Sequence, residues 1–92
     1  MGGTPKSTFE GLKAEIEYPC TWVYKIIGRR EIYLRMAVAE VVGGSNHKLT
    51  FSRHSSQGKY CSMRLELVVG DEEQRISIGE ALHEHPDIRF VL

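Results

Sequence analysis

No apolar run in this chain approaches the roughly 20 residues that a membrane-spanning helix needs, so no such helix is expected. No basic, apolar, small-residue leader opens it either. A myristoylation pattern starting at Gly2 fails at position 6, where Lys6 stands in place of Ser or Thr. The cytoplasm is therefore the expected location. Cysteine is scarce as well. Cys20 and Cys61 do not make a disulfide framework. Among Cys20, Cys61, His47, His54, His83 and His85, the only close pair is His83-x-His85. Two-residue spacing on a helix sends the two rings in divergent directions, unlike the C-x2-C or H-x3-H pairs of zinc sites. No metal and no cofactor are expected.

Catalytic signatures are missing in the same way. There is no G-x-S-x-G nucleophile elbow, and His54, Ser55 and Ser56 are sequence neighbours that a strand would point to opposite faces. Gly43-Gly44-Ser45-Asn46-His47-Lys48 lacks the Gly that a Walker loop places before its Lys, and a strand pattern follows it rather than a helix. No enzyme is predicted. Net charge is absent too, yet the charges are unevenly spread. Residues 18–64 hold eight Lys or Arg against two acids, and residues 65–92 hold seven acids against two Arg. A chain polarised in this way suits an acidic partner or self-association.

What is present suits one small soluble domain: 92 residues, 41% hydrophobic and 26% charged. Residues 1–15 carry Gly2, Gly3, Pro5 and Ser7 with few apolar groups, and read as a flexible arm with a possible helical turn toward Ile16. The domain is placed at 16–92. Trp22 to Ile27 is an aromatic and β-branched strand ended by Gly28, with Trp22 and Tyr24 inward and Val23, Lys25 and Ile27 outward. A helix follows from about Arg30 to Val42, with Leu34, Ala37, Val38 and Val41 on one face and Gly43-Gly44 stopping it. His47 to His54 reads as a second strand, with Leu49 and Phe51 inward. Ser55-Ser56-Gln57-Gly58 reads as a hairpin connection.

The third strand has the plainest pattern. Cys61, Met63, Leu65, Leu67 and Val69 alternate with Tyr60, Ser62, Arg64, Glu66 and Val68, so one face meets a core and the other is open. Asp71 with Gln74 three residues on is a helix start of capping-box type. Ile78, Ala81 and Leu82 form that helix's apolar face, and Pro86 ends it. Ile88 to Leu92 is a last strand. The order β, α, β, β, α, β predicts a ferredoxin-like α+β fold: a four-stranded antiparallel sheet, order 4-1-3-2, with two helices on one face. It also sets Cys20 and Cys61 at opposite ends of neighbouring strands, roughly 20 Å or more apart at 3.3 Å per residue, too far for a disulfide.

Three segments in register carry a resemblance: Tyr18-Pro19-Cys20-x-Trp22-x-Tyr24-Lys25-x-Ile27-Gly28, then Ser55-Ser56-x-Gly58-x-Tyr60-x-Ser62, then Ile88-Arg89-Phe90-Val91-Leu92. Together they resemble the YbeD-like family of small bacterial proteins, a domain of unknown function. The resemblance covers residues 18–92. It implies an ACT-like ferredoxin fold, of the kind that binds small molecules and tunes metabolic enzymes, and it hints at lipoate metabolism through gene neighbourhood. It carries no catalytic residues. The chain departs from the family pattern in its longer arm and at Arg35 and Met36.

Two kinds of surface remain as candidates. The hairpin residues Ser55, Ser56, Gly58, Lys59 and Tyr60, the corner Arg29-Arg30, and Lys25 and Arg64 on the open face offer hydroxyls, amides and cations to an anionic ligand or an acidic partner protein. That set predicts a regulatory or interaction module. The alternative is a nucleic-acid-binding domain using Lys25, Arg53, Lys59 and Arg64 on the open sheet, although Tyr60 alone among the third-strand residues would stack a base there. Edge strands leave a homodimer open as well.

Overall fold

A computed structural model describes residues 16–92. The expected arm at 1–15 lies outside the described residues. Within them, β1 (Cys20–Gly28), α1 (Glu31–Val42), β2 (His47–His54), β3 (Cys61–Val69), α2 (Glu72–Glu84) and β4 (Phe90–Val91) follow one another. The strands form one antiparallel sheet in the order β2-β3-β1-β4. This is the ferredoxin-like topology expected from the hydrophobic pattern.

The β1–β3 ladder is the spine. Cys20 pairs with Val69 and Gly28 with Cys61, so every position between has a cross-strand partner. Its inner face supplies Tyr24, Ile26, Met63, Leu65, Leu67 and Val69, which pack against Leu34, Ala37, Val38 and Val42 of α1 and Leu82 of α2. Leu49 and Phe51 are half-buried against the same cluster, as expected for a short edge strand. The two cysteines are free and stand at opposite ends of the ladder.

Both helix starts can be traced to their sequence. At α2, Asp71 accepts a hydrogen bond from the Gln74 amide at 2.7 Å. The Gln74 side chain in turn accepts from the Gly70 amide at 2.6 Å, one residue earlier than the usual box. At α1 the residue in the same position is Arg30, which is extended and makes no side-chain cap.

Three expectations need correction. Ala81 is exposed; the inward stripe of α2 is Arg75, Ile78, Gly79 and Leu82. Gly79 sits where a Cβ would meet the Tyr24 ring at 3.4 Å, so the helix packs closely there because it lacks a side chain. The last strand is regular only at Phe90–Val91, because Ile88 drops into the core to close the α2–β4 connection. Backbone bonds from Arg89 to Ile27 and between Leu92 and Lys25 nonetheless extend the pairing. Ser62 lies on the open side of β3 yet is buried, its hydroxyl directed at the Arg53 carbonyl at 3.5 Å.

At the start of the ladder a second cluster ties α2 to the sheet. The Arg75 guanidinium lies 4.5 Å from the Trp22 ring centroid and donates from Nε to the Tyr18 hydroxyl at 2.9 Å. The Tyr24 hydroxyl donates to the Arg75 carbonyl at 2.5 Å. Hydrogen bonding to Tyr18 is the main reason the Arg75 pKa is raised further. Burial pushes the Tyr24 phenol up, against the lowering effect of Arg75.

Candidate functional site

The opposite end of the ladder gathers most of the candidate residues. Gly28 closes β1 under tight constraint: a Cβ there would lie 2.6 Å from the Asp87 carbonyl and 2.6 Å from Leu34 Cδ2. That close approach fixes where Arg29 and Arg30 leave the sheet. Facing them, the β2–β3 hairpin is held by Gly58 N–H to the Ser55 carbonyl at 2.9 Å. The Ser55 amide donates to the Tyr60 carbonyl at 2.8 Å, and the Tyr60 amide to Ser55 Oγ at 3.2 Å. Gly58 takes a φ of 73°, the left-handed region open to Gly at no steric cost. So Ser55 and Gly58 serve the turn itself, and the turn presents Lys59 and Tyr60.

A β-bulge adds His54 to the site, a residue that the sequence offered only as a metal ligand or a catalytic base. Phe51 pairs with Met63 but Arg53 pairs with Ser62, so Ser52 and Arg53 together oppose a single residue. The extra residue returns His54 to the inward register, opposite Cys61. Its ring centroid is 4.9 Å from that of Phe51. In an unbroken strand Phe51 and His54 would point to opposite faces. No simple sequence signal marks a bulge at Ser52-Arg53.

Two clefts result, and His54 lines both. One, of about 180 Å³, has walls from Lys25 and Ile27 of β1, Arg53 of β2, Ser55 and Tyr60 of the hairpin, and Cys61 and Ser62 of β3. The other, of about 330 Å³, lies between Arg29, Arg30 and Glu31 on one side and Gly58 and Lys59 on the other. Burial, with a smaller contribution from the Glu31 charge, pushes the Cys61 thiol up, so it is a poor nucleophile.

Of the nine predicted residues, Lys25, Ser55 and Tyr60 line the first cleft, and Arg29, Arg30, Gly58 and Lys59 line the second. Ser56 lines neither and is exposed. Arg64 also lines neither; it is Lys25's cross-strand neighbour and donates to Glu66 at 2.8 Å. Arg53, named in the sequence only for the nucleic-acid alternative, joins the site, as do His54, Ile27, Cys61 and Ser62, which were not singled out for it.

The electrostatics are one-sided. Lys25, Arg29, Arg30, Arg53 and Lys59 have no carboxylate partner among the described residues. Glu31, the acid in the lining of the second cleft, is engaged by Arg35 at 2.6 Å. Mutual repulsion among these cations is therefore not offset by a salt bridge among the described residues.

Comparison with known proteins fits this picture of a small conserved scaffold. Residues 13–92 match the model of a family described as a protein of unknown function, DUF493. The chain belongs to that family. A UPF0250 protein of Neisseria gonorrhoeae is 33% identical over 82 residues, covering 84% of this chain and 89% of that one. The uncharacterized protein Cj0253 of Campylobacter jejuni is 31% identical over 68 residues, covering 74% and 78%. The solution structure of HP0495 from Helicobacter pylori superimposes with a TM-score of 0.71 at 24% identity, covering 84% of this DUF493 chain and 85% of HP0495, which shows the shared fold. The YbeD-like resemblance read from the three segments is thereby upheld, and the family brings no assigned activity.

Proposed function

We propose that this DUF493 domain is a non-enzymatic regulatory or interaction module of the cytoplasm, which binds an anionic small ligand or an acidic protein surface at its basic end. One observation carries the reading: five cations without carboxylate partners among the described residues line two neighbouring clefts that share His54. Guanidinium and ammonium groups hold charge and orient oxygen anions, which is the chemistry of recognition. The test is a calorimetric titration with anions and acidic peptides, lipoate and amino acids included, on wild type and on the Arg29→Ala, Arg30→Ala double variant. Salt-sensitive binding lost in the variant supports the reading. Heat of binding that the variant leaves unchanged refutes it.

A second reading, single-stranded nucleic acid on the open sheet, draws on Phe90. This side chain is 58% exposed and pairs in register with Ile27, beside Lys25. It adds an aromatic to a face where the third strand gave only Tyr60. Oligonucleotide retention that falls steeply with salt, and is lost on Lys59→Ala with Arg64→Ala, separates this reading from the first.

A further inference from the structure

We infer that the two clefts form one composite site for a nucleoside polyphosphate, its base in the Ile27–Tyr60 cleft and its phosphates among Arg29, Arg30 and Lys59. The inference rests on the preceding reading of the basic end as a binding site, and it names the ligand class. The first cleft holds about 180 Å³, below the roughly 300–1,000 Å³ of pockets that enclose a whole drug-sized ligand. It takes a fragment, and its walls select which. Ile27 and Tyr60 supply apolar and aromatic surface, and Lys25, Arg53, Ser55 and Ser62 supply polar groups beside it. A flat heteroaromatic ring has the same distribution, apolar on its faces and polar on its rim.

The second cleft is larger, about 330 Å³, and polar. Three cations line it, and the one carboxylate among its walls, Glu31, is already held by Arg35. A carboxylic or amino acid brings one or two negative charges to such a site. A di- or triphosphate chain brings about as many as there are cations, with the oxygen geometry that Arg grips bidentately. Adjacency favours one ligand over two. His54 lines both clefts, so they are neighbours, and a molecule with a ring at one end and a polyanion at the other reaches both across that one residue.

The experiment is a set of titrations of the ¹⁵N-labelled full chain, without magnesium, using ATP, adenosine and inorganic tripolyphosphate. ATP is expected to bind about tenfold more tightly than tripolyphosphate, the contribution of roughly one stacked base. Amide shifts should appear at Ile27 and Tyr60 with ATP and adenosine, and at Arg29, Arg30 and Lys59 with ATP and tripolyphosphate. Tyr60→Ala should bring ATP down to the affinity of tripolyphosphate. The wild-type comparison decides the question even if that variant unfolds. Equal affinity for ATP and tripolyphosphate overturns the nucleotide assignment and leaves the anion site standing. A polynucleotide that binds more tightly than ATP, with shifts spreading to Phe90, overturns it in favour of the open sheet. No shift with any of these probes or with the anions and acidic peptides above removes the binding site itself.

Discussion

Replacing Arg30 with Ser should make this domain more stable while it loses its ligand. Arg30 occupies the N-cap of α1 with φ −136° and ψ 144°, an extended geometry that suits a capping side chain, yet it makes no capping hydrogen bond. It also sets a cation at the positive end of the helix dipole, where an anion is favoured. A Ser there can accept from the amide of Ile32 or Tyr33, as Asp71 does from Gln74 at 2.7 Å in α2. Gaining a cap stabilises a helix by about 0.5–2 kcal/mol. Removing the misplaced charge adds about 0.3–1 kcal/mol. A net gain near 1 kcal/mol corresponds to a Tm higher by roughly 4–8 °C in a domain of this size. Thermal melts followed by circular dichroism measure the first effect and tripolyphosphate titration the second. A lower Tm, or affinity equal to wild type, would refute the reasoning that Arg30 is kept at a helix start for binding and against stability.

Two glycines should respond in opposite ways to Ala. Gly28→Ala drives a methyl into the Asp87 carbonyl and Leu34, and overpacking of this kind costs about 1–3 kcal/mol, seen as a lower urea midpoint. Gly79→Ala meets only the Tyr24 ring at 3.4 Å, and relief of Gly's helix penalty should stabilise by up to about 1 kcal/mol. Stability should fall as pH rises into the alkaline range. The folded pKa values of Tyr24 and Cys61 lie above their ordinary values of 10.0 and 9.0. The unfolded chain therefore releases protons that the folded chain still holds, so stability present below about pH 9 is lost above it. Tyr24→Phe should flatten this limb near pH 10, and a limb as steep as wild type in urea melts contradicts the assignment to Tyr24. Arg75→Lys keeps the charge but loses the planar stack on Trp22, so a blue- or red-shifted Trp22 emission with a loss of about 1 kcal/mol is expected.

How much of this was legible in the sequence depends on whether the deciding interaction was local. Alternation from Cys61 to Val69 is enforced by the pleat itself, so the buried face of β3 follows from counting by two. Asp71 and Gln74 meet within one helical turn, and their bond was foreseeable for the same reason. Ala81 and Gly79 reverse expectation because hydrophobicity was asked to predict a contact that size decides. The helix approaches Tyr24 where it has no side chain. Arg75 entered the sequence reading only as one charge among others, because its partners Tyr18 and Trp22 lie more than fifty residues away in sequence. In the candidate site the cations of the Arg29-Arg30 corner and the hairpin were visible as composition. Their convergence follows from the β1–β3 register that sets Gly28 opposite Cys61. The place of His54 depends instead on the bulge at Ser52-Arg53, a ladder irregularity with no periodic signature, and so His54 was missed as a wall shared by the clefts.

The two ends of the β1–β3 ladder are separated by about 20 Å, six residues at 3.3 Å each, and they treat charge in opposite ways. At the Trp22 end Arg75 is fully used: it stacks on Trp22, binds Tyr18 and lies within 3.7 Å of Glu72. At the Gly28 end five cations gather, and Glu31, the acid lining their second cleft, is taken by Arg35. Folding alone gives no reason for such an arrangement, since repulsion among like charges lowers stability and an uncapped Arg begins a helix. Where local rules are broken together at one place, the proposed anion-binding role gives a reason for the cost that the fold does not. Gly28 pairs with Cys61 and packs so closely on Asp87 and Leu34 that a side chain would not fit, so the corner that carries Arg29 and Arg30 is placed by the fold itself. A preset cationic corner binds an anion with little ordering cost, so recognition at this end should be fast and strongly dependent on salt, and nearly independent of any change in the sheet.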